Sequence, residues 1–253
     1  MKQIPNLFTL LNLVFGCIAI IFILQTGESI VSVNDNLVYQ QLPEKITWGC
    51  ICIGIAAVID FLDGFVARLF NATSEMGKQL DSLADVVSFG VAPGMILFQL
   101  LRISFAGQDN GLDVSIAWLL PAFIFPAAGA YRLARFNIDA SQQYGFKGVP
   151  IPAAGLMVAS LPFIAFYNSF DLINVIFNKW FLYAVILLMS WLMVSTLPLM
   201  ALKFKDFSIK NNLPKFILLG IAVVAAIIFK WAAFPVVFIA YVVLSLAFKN
   251  QKA

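Results

Sequence analysis

Long apolar runs alternate with short polar segments along nearly the whole chain. Runs over 7–25, 47–69, 82–104, 116–138, 149–169 and 180–202 each approach the roughly 20 residues that a helix needs to cross the hydrocarbon of a bilayer. The last apolar block, 216–248, is too long for one crossing. Lys230 and Pro235 divide it into two short helices that meet at the outer face. The connections are polar or rich in turn residues: "TGESIVSVNDNLVYQQLPEK", "AGQDNGLDV", "DASQQYGFKG" and "KFKDFSIKNNLPK". This pattern predicts an all-α integral membrane protein of about eight transmembrane helices. Six form a core over residues 1–205, and a C-terminal helical hairpin follows over 206–253. No internal repeat or low-complexity segment interrupts the series.

Composition strengthens the reading. Hydrophobic residues make up 62% of the 253, charged residues 11%, and the mean hydropathy is +0.94. A soluble domain carries about 25% charged residues, so the expected surroundings are membrane lipids, with no nucleic-acid partner. The opening "MKQIPNLFTLLNLVFGCIAIIFILQ" has one lysine and then an apolar run long enough to remain as a span. Charge sets the orientation. With the N-terminus inside, the inner face carries Lys2, Arg68, Lys78, Arg132, Arg135, Lys147, Lys203, Lys205, Lys210, Lys215, Lys249 and Lys252. The outer face then carries only Lys45, Arg102, Lys179 and Lys230. Basic residues concentrate on cytoplasmic loops, so both termini are expected in the cytoplasm and the chain in the cell (inner) membrane.

The costly residues lie in "DFLDGFVARLFNATSEMGKQLDSLAD", between two apolar runs. Asp60, Asp63, Gly64, Ala67 and Arg68 recur at intervals of three and four, which puts them on one helical face. Gly77, Asp81 and Asp85 recur at steps of four on the next helix, and "LFNATSEM" is long enough to turn the chain between them. Four facing carboxylates need a compensating cation in a medium of low dielectric. The chain has no histidine, and Cys17, Cys50 and Cys52 sit in apolar runs as small hydrophobes. An oxygen-only donor set suits a hard ion, Mg²⁺ or Mn²⁺, and four carboxylates suit two ions. Gly64, Ala67 and Gly77 leave room for a bulky group, and the Arg68 guanidinium fits phosphate. Together they describe a nucleotide-diphosphate site at the cytoplasmic end of helices 2 and 3. On spacing alone two other readings stay open: a static ion-pair network with Arg68, Arg132 and Arg135, and a divalent-cation pathway.

The run Asp60-x2-Asp63-Gly64-x2-Ala67-Arg68-x8-Gly77-x3-Asp81-x3-Asp85 resembles the complete signature of the CDP-alcohol phosphotransferases. "IPNLFTLLNL" (Pro5, Asn6, Thr9, Asn12) resembles the entry to that family's first helix. "LDSLADVVSFGVAPG", "YRLARFNI", "FKGVPIPAAG" and "LMVST" are similar to the serine-using branch, the phosphatidylserine synthases of bacteria and archaea. The resemblance implies that Asp60, Asp63 and Asp81 hold the metal, and that Asp85 contributes to it while serving mainly as general base. It implies that Gly64, Ala67, Arg68 and Gly77 frame the cytidine diphosphate of CDP-diacylglycerol, that L-serine is the acceptor, and that the protein is a homodimer. A relative using another acceptor, such as glycerol phosphate or inositol phosphate, would carry the same signature.

Outside the signature, Arg132 and Arg135 are the expected anion binders, for a serine carboxylate or a donor phosphate. The alternative is that both snorkel to the lipid headgroups. Lys147 is a weaker candidate of the same kind. Asn6 and Asn12 can bond to cytidine or phosphate, and Asn6 also suits a helix start after Pro5. Ser88, three residues after Asp85, fits a packing position better than a catalytic one.

Overall fold

In the computed structural model, residues 4–25, 44–69, 74–107, 114–139, 146–168, 170–200 and 209–248 are described. Of the basic residues used for orientation, Lys2, Lys203, Lys205, Lys249 and Lys252 lie outside them, as does most of the turn in "LFNATSEM".

Each of the eight expected segments is helical. They are α1 (Ile4–Leu24), α2 (Glu44–Leu69), α3 (Glu75–Ala106), α4 (Ile116–Ile138), α5 (Ile151–Tyr167), α6 (Lys179–Val194), α7 (Ile209–Phe229) and α8 (Ala233–Ala247). α1 to α4 are each long and apolar enough to cross a bilayer, and α7 with α8 form one further apolar stretch, Asn212–Ala247. α5 and α6 are apolar but shorter, at 17 and 16 residues. The sixth run, expected to continue to residue 202, leaves the helix at Val194, and Pro198–Leu199 (β2) pairs antiparallel with Phe146–Lys147 (β1). Ser195 ends the helix at extended ψ, and Pro198 has no N–H with which to continue one.

Lipid-facing and packed faces separate cleanly. Val58, Phe61, Leu187, Trp191, Leu219 and Ile227 are each more than half exposed, which suits hydrocarbon because every helical N–H and C=O is already paired within its helix. Phe89, Phe125, Ile96, Leu97, Leu100, Ile151 and Leu182 are fully buried between helices. Close helix crossings rely on small residues. A Cβ on Gly49 of α2 would meet Ile23 Cγ1 of α1 at 2.6 Å, and one on Gly16 of α1 would meet Ser88 Cα of α3 at 2.9 Å.

α3 is not a uniform helix. Val86–Val91 is π-helical, and the Ala92 N–H reaches back five residues to the Val87 carbonyl. Pro93 follows, and its ring would clash with the Phe89 carbonyl of a regular α-helix. The wider π turn relieves that clash.

The helix ends meet in two layers. At one end lie the start of α3 and the ends of α4 and α6: Lys78 Nζ donates to the Asn137 carbonyl at 3.0 Å, and Arg135 donates to the Val194 and Ser195 carbonyls at 2.7 and 2.9 Å. At the other, Tyr183 of α6 donates to the Trp118 carbonyl at 2.6 Å, and Gln99 of α3 donates to the Ile23 carbonyl at 3.1 Å.

Gly148, between β1 and α5, has φ +77, and a Cβ there would lie 2.5 Å from the Met193 carbonyl oxygen and 2.7 Å from that of Ser195. Left-handed backbone alone costs a non-glycine residue roughly 1–2 kcal/mol, and the two carbonyls would have to move as well. Gly148→Ala is expected to destabilise the fold by about 3 kcal/mol or more, seen as a drop in the thermal midpoint in detergent. An unchanged midpoint would contradict the packing of this loop.

Candidate active site

α1, α2 and α3 form the walls of a cleft of about 680 Å³ at the end where α3 begins. Asn6, Thr9, Asn12 and Gly16 occupy α1 at steps of three and four, so they form one stripe along it. Thr9 Oγ1 donates to Asp63 Oδ2 at 2.7 Å, and it also reaches the Pro5 carbonyl at 3.2 Å. One turn deeper, Ser88 Oγ donates to the Asn12 carbonyl at 3.0 Å. Ser88 is thus a packing residue between α1 and α3, as its position in the sequence suggests.

α2 supplies Asp60, Asp63, Gly64 and Ala67 to the cleft, while its opposite face leaves Phe61 and Phe65 at 69% and 50% exposure. One helix therefore presents carboxylates to the cleft and aromatics to lipid. α3 starts at Ser74, whose hydroxyl accepts the Gly77 N–H at 3.0 Å, an N-cap that fixes where the helix begins. Gly77, Lys78, Asp81 and Asp85 follow on the cleft side. The glycines work in different ways. Nothing lies within 4 Å of a Cβ built on Gly64, whereas one on Gly77 would meet Asn6 Oδ1 and Ser74 Oγ, each at 3.1 Å.

Carboxylate oxygens of Asp60, Asp63 and Asp81 lie within 4.8 Å of one another. Three hard donors that close can share one divalent ion of the Mg²⁺, Mn²⁺ or Ca²⁺ kind. With no histidine in the chain and no cysteine in the cleft, the donor set fits such an ion and disfavours zinc. Asp85 lies outside this 4.8 Å trio but faces Asp60 next to it. It lines the cleft at 6% exposure, and its Oδ1 accepts no hydrogen bond among the described residues.

Of the residues expected at the site, the cleft brings together Asn6, Asp60, Asp63, Gly64, Ala67, Gly77, Asp81 and Asp85. Arg68, Asn12, Arg132 and Arg135 are not among its lining residues. Arg68 is exposed in the last turn of α2. Asn12 is fully buried, and neither polar atom of its side chain has a partner among the described residues. Arg135 donates to the Val194, Ser195 and Lys147 carbonyls, so its guanidinium clamps helix and strand ends together. Arg132 is 4% exposed, its Nε has no hydrogen-bond partner among the described residues, and its guanidinium lies 5.8 Å from the centroid of the Phe136 ring. Lys147 pairs with Asp139 at 3.0 Å.

Among the cleft residues to which sequence reasoning gave no site role, Thr9 and Lys78 make long-range contacts. Thr9 buttresses Asp63, and the only signal for it is its place in the N-terminal block quoted above. Lys78 lines the cleft while bonding to the end of α4, and Asn137 Nδ2 donates to Ser82 Oγ at 2.8 Å beside it. Both contacts link residues far apart in the chain, beyond the reach of helical periodicity.

Known proteins resemble this chain over much of its length. A protein of Helicobacter pylori strain 26695, CDP-diacylglycerol--serine O-phosphatidyltransferase, is 35% identical over 217 residues, covering 85% of this chain and 77% of that protein. The Bacillus subtilis protein of the same name is 33% identical over 165 residues, 64% of this chain and 77% of its own length. That of Methanocaldococcus jannaschii is 42% identical over 122 residues, 48% of this chain and 52% of its own. Residues 2–202 match the family described as CDP-alcohol phosphatidyltransferase. Every aspartate of the signature lies in this stretch and in one cleft, and the chain belongs to that family.

Proposed function

We propose that this protein transfers the phosphatidyl group of CDP-diacylglycerol to the hydroxyl of L-serine, giving phosphatidylserine and CMP. The observation that carries the reading is the pairing of a three-carboxylate cluster with a fourth, buried aspartate beside it, Asp85, in one cleft. The names of the relatives support serine as the acceptor.

Asp60, Asp63 and Asp81 hold divalent metal, Mg²⁺ or Mn²⁺, with Asp85 contributing a ligand if two ions bind. A divalent ion supplies neutralising charge for the diphosphate and for the departing CMP. The open space above Gly64, with Ala67 and Gly77 beside it, admits the nucleotide against the backbone. Asn6, which lines the cleft, contributes polar contacts to cytidine or phosphate, a role that Asn12 and Arg68, outside the lining, do not share. Asp85 takes the proton of the serine hydroxyl, since an alcohol is a weak nucleophile until a base within hydrogen-bond reach removes it. The freed oxygen forms a bond to the phosphorus that carries diacylglycerol, and the bond from that phosphorus to the CMP oxygen breaks. Arg132, buried on α4 beyond the cleft lining, is the candidate for the serine carboxylate, and Arg135 keeps the end of α4 in place for it.

Exposed Phe61 and Phe65 on the outer face of α2 suit acyl chains in the bilayer, while the cleft mouth suits water-soluble serine and CMP. The chain is a multi-pass membrane protein. In this reading the cleft faces the cytoplasm from the cell (inner) membrane, residues 1–205 form the catalytic core, 206–253 are an added hairpin, and the working unit is a homodimer.

The test supplies purified protein with CDP-diacylglycerol, Mg²⁺ or Mn²⁺, and serine, glycerol phosphate or inositol phosphate in turn, and follows CMP. Release is expected with serine. Release with another alcohol and none with serine would overturn the acceptor assignment.

A further inference from the structure

The charges around the cleft do not balance. Asp60, Asp63, Asp81, Asp85 and Glu75 line it, and Lys78 is the one basic residue among its lining residues. These five carboxylates outnumber the positive charges that even two divalent ions would bring. A nucleoside diphosphate entering the same space adds further negative charge, which repels the carboxylates unless a cation stands against it. Arg68, whose guanidinium suits phosphate, does not line the cleft. The cation that does is Lys78.

Lys78 precedes Asp81 by three residues on α3, so the two side chains leave one face of the helix about a turn apart. Its Nζ donates to the Asn137 carbonyl at 3.0 Å. That carbonyl belongs to the last turn of α4, where no helical N–H follows to take it. The two helices are tied a second time close by. Asn137 Nδ2 donates to Ser82 Oγ at 2.8 Å, and Ser82 Oγ donates to the Lys78 carbonyl at 3.2 Å. An ammonium carries several N–H donors, and the Asn137 carbonyl occupies one. Lys78 makes no salt bridge among the described residues, although carboxylates line the cleft with it. Bonded to a neutral carbonyl, it keeps its full charge for an anion at the metal-ligand trio.

We propose that Lys78 is a donor-binding residue: its ammonium, held at the cleft wall by the Asn137 carbonyl, binds a phosphate oxygen of the CDP-linked donor. A compact point charge on a flexible stem suits this task. The inference rests on the donor of the proposed reaction and is independent of the acceptor.

Calorimetric titration of the full-length protein with CDP in the presence of Mg²⁺ tests it. Lys78→Met keeps the apolar stem and removes the charge, and the dissociation constant for CDP is expected to rise about tenfold. The thermal midpoint titrated with Mn²⁺ reads the metal site separately. Removing a positive charge beside carboxylates favours a bound cation, so the Mn²⁺ needed for the shift should stay the same or fall. Asn137→Ala is the structural control. It cuts the side-chain tie to Ser82 but keeps both the backbone carbonyl and the Lys78 charge, so it should lower the midpoint and leave CDP binding within about twofold. Unaltered CDP binding in Lys78→Met would overturn the proposal. Equal weakening in Asn137→Ala would do so too, because loosening of α3 against α4 would then explain the loss. A parallel loss of Mn²⁺ binding in Lys78→Met would also overturn it, by placing the damage in the metal site. Wild-type protein that binds Mn²⁺ but no CDP would instead overturn the donor assignment, so the two failures are distinguishable.

Discussion

Asp85→Asn is expected to lower CMP release about 1000-fold while leaving nucleotide binding within a few-fold of wild type. The size follows from the role, since general-base catalysis contributes about 10²–10⁴-fold. The substitution keeps side-chain shape in a seat that is only 6% exposed, so no cavity opens. It exchanges a carboxylate oxygen that accepts no hydrogen bond among the described residues for an amide that cannot take a proton. Asp85 lies outside the trio whose oxygens cluster within 4.8 Å, so the ligand set of that trio survives. Calorimetric titration with CDP in the presence of Mg²⁺ measures the binding half of the prediction, and single-turnover CMP release measures the chemical half. Turnover within tenfold of wild type would remove Asp85 from the role of base. Lost nucleotide binding together with lost turnover would make it chiefly a metal ligand.

That Asp85 stands outside the 4.8 Å trio of the other aspartates was only partly legible in the sequence. Periodicity alone puts Asp60 with Asp63, and Asp81 with Asp85, on two faces that must meet, and α2 and α3 do meet there. Spacing does not say which three carboxylates converge, because that depends on how far each helix is rotated. The hydrophobic pattern located all eight helical segments, since apolar runs bounded by polar loops follow directly from the cost of leaving backbone or charge unpaired in lipid. It misjudged where α6 ends. The run stays apolar to residue 202, but Pro198 and the clamp of Arg135 on Val194 and Ser195 end the helix earlier. Arg135 was itself read as an anion binder. No local pattern could show that its guanidinium is engaged by carbonyls some 60 residues away in the chain. The π turn at Val86–Val91 was equally hidden, although Pro93 was a visible warning of it.

Thr9 offers the other large effect, through Asp63. Asp63→Asn removes one oxygen donor from the cluster and is expected to cut kcat/KM about 1000-fold at low millimolar Mg²⁺, equivalent to about 4 kcal/mol of transition-state stabilisation. Thr9→Val is nearly isosteric and leaves all the carboxylates in place, but removes the 2.7 Å hydrogen bond that orients Asp63. Residues that orient a metal ligand typically contribute about 10–100-fold to metal affinity. The expected signature is therefore a 10–100-fold rise in the Mg²⁺ or Mn²⁺ concentration giving half-maximal activity, with near-normal kcat at saturating metal. Because Thr9 acts through Asp63, the double variant should be no worse than Asp63→Asn alone, a non-additivity that independent sites would not give. A second readout avoids activity altogether. Metal that binds only the folded chain raises its thermal midpoint by mass action, so the midpoint titrated with Mn²⁺ should shift at much higher concentration in Thr9→Val than in wild type. A wild-type metal requirement in Thr9→Val would mean that Asp63 is held by α2 alone, and additive losses in the double variant would mean that Thr9 touches the substrate directly.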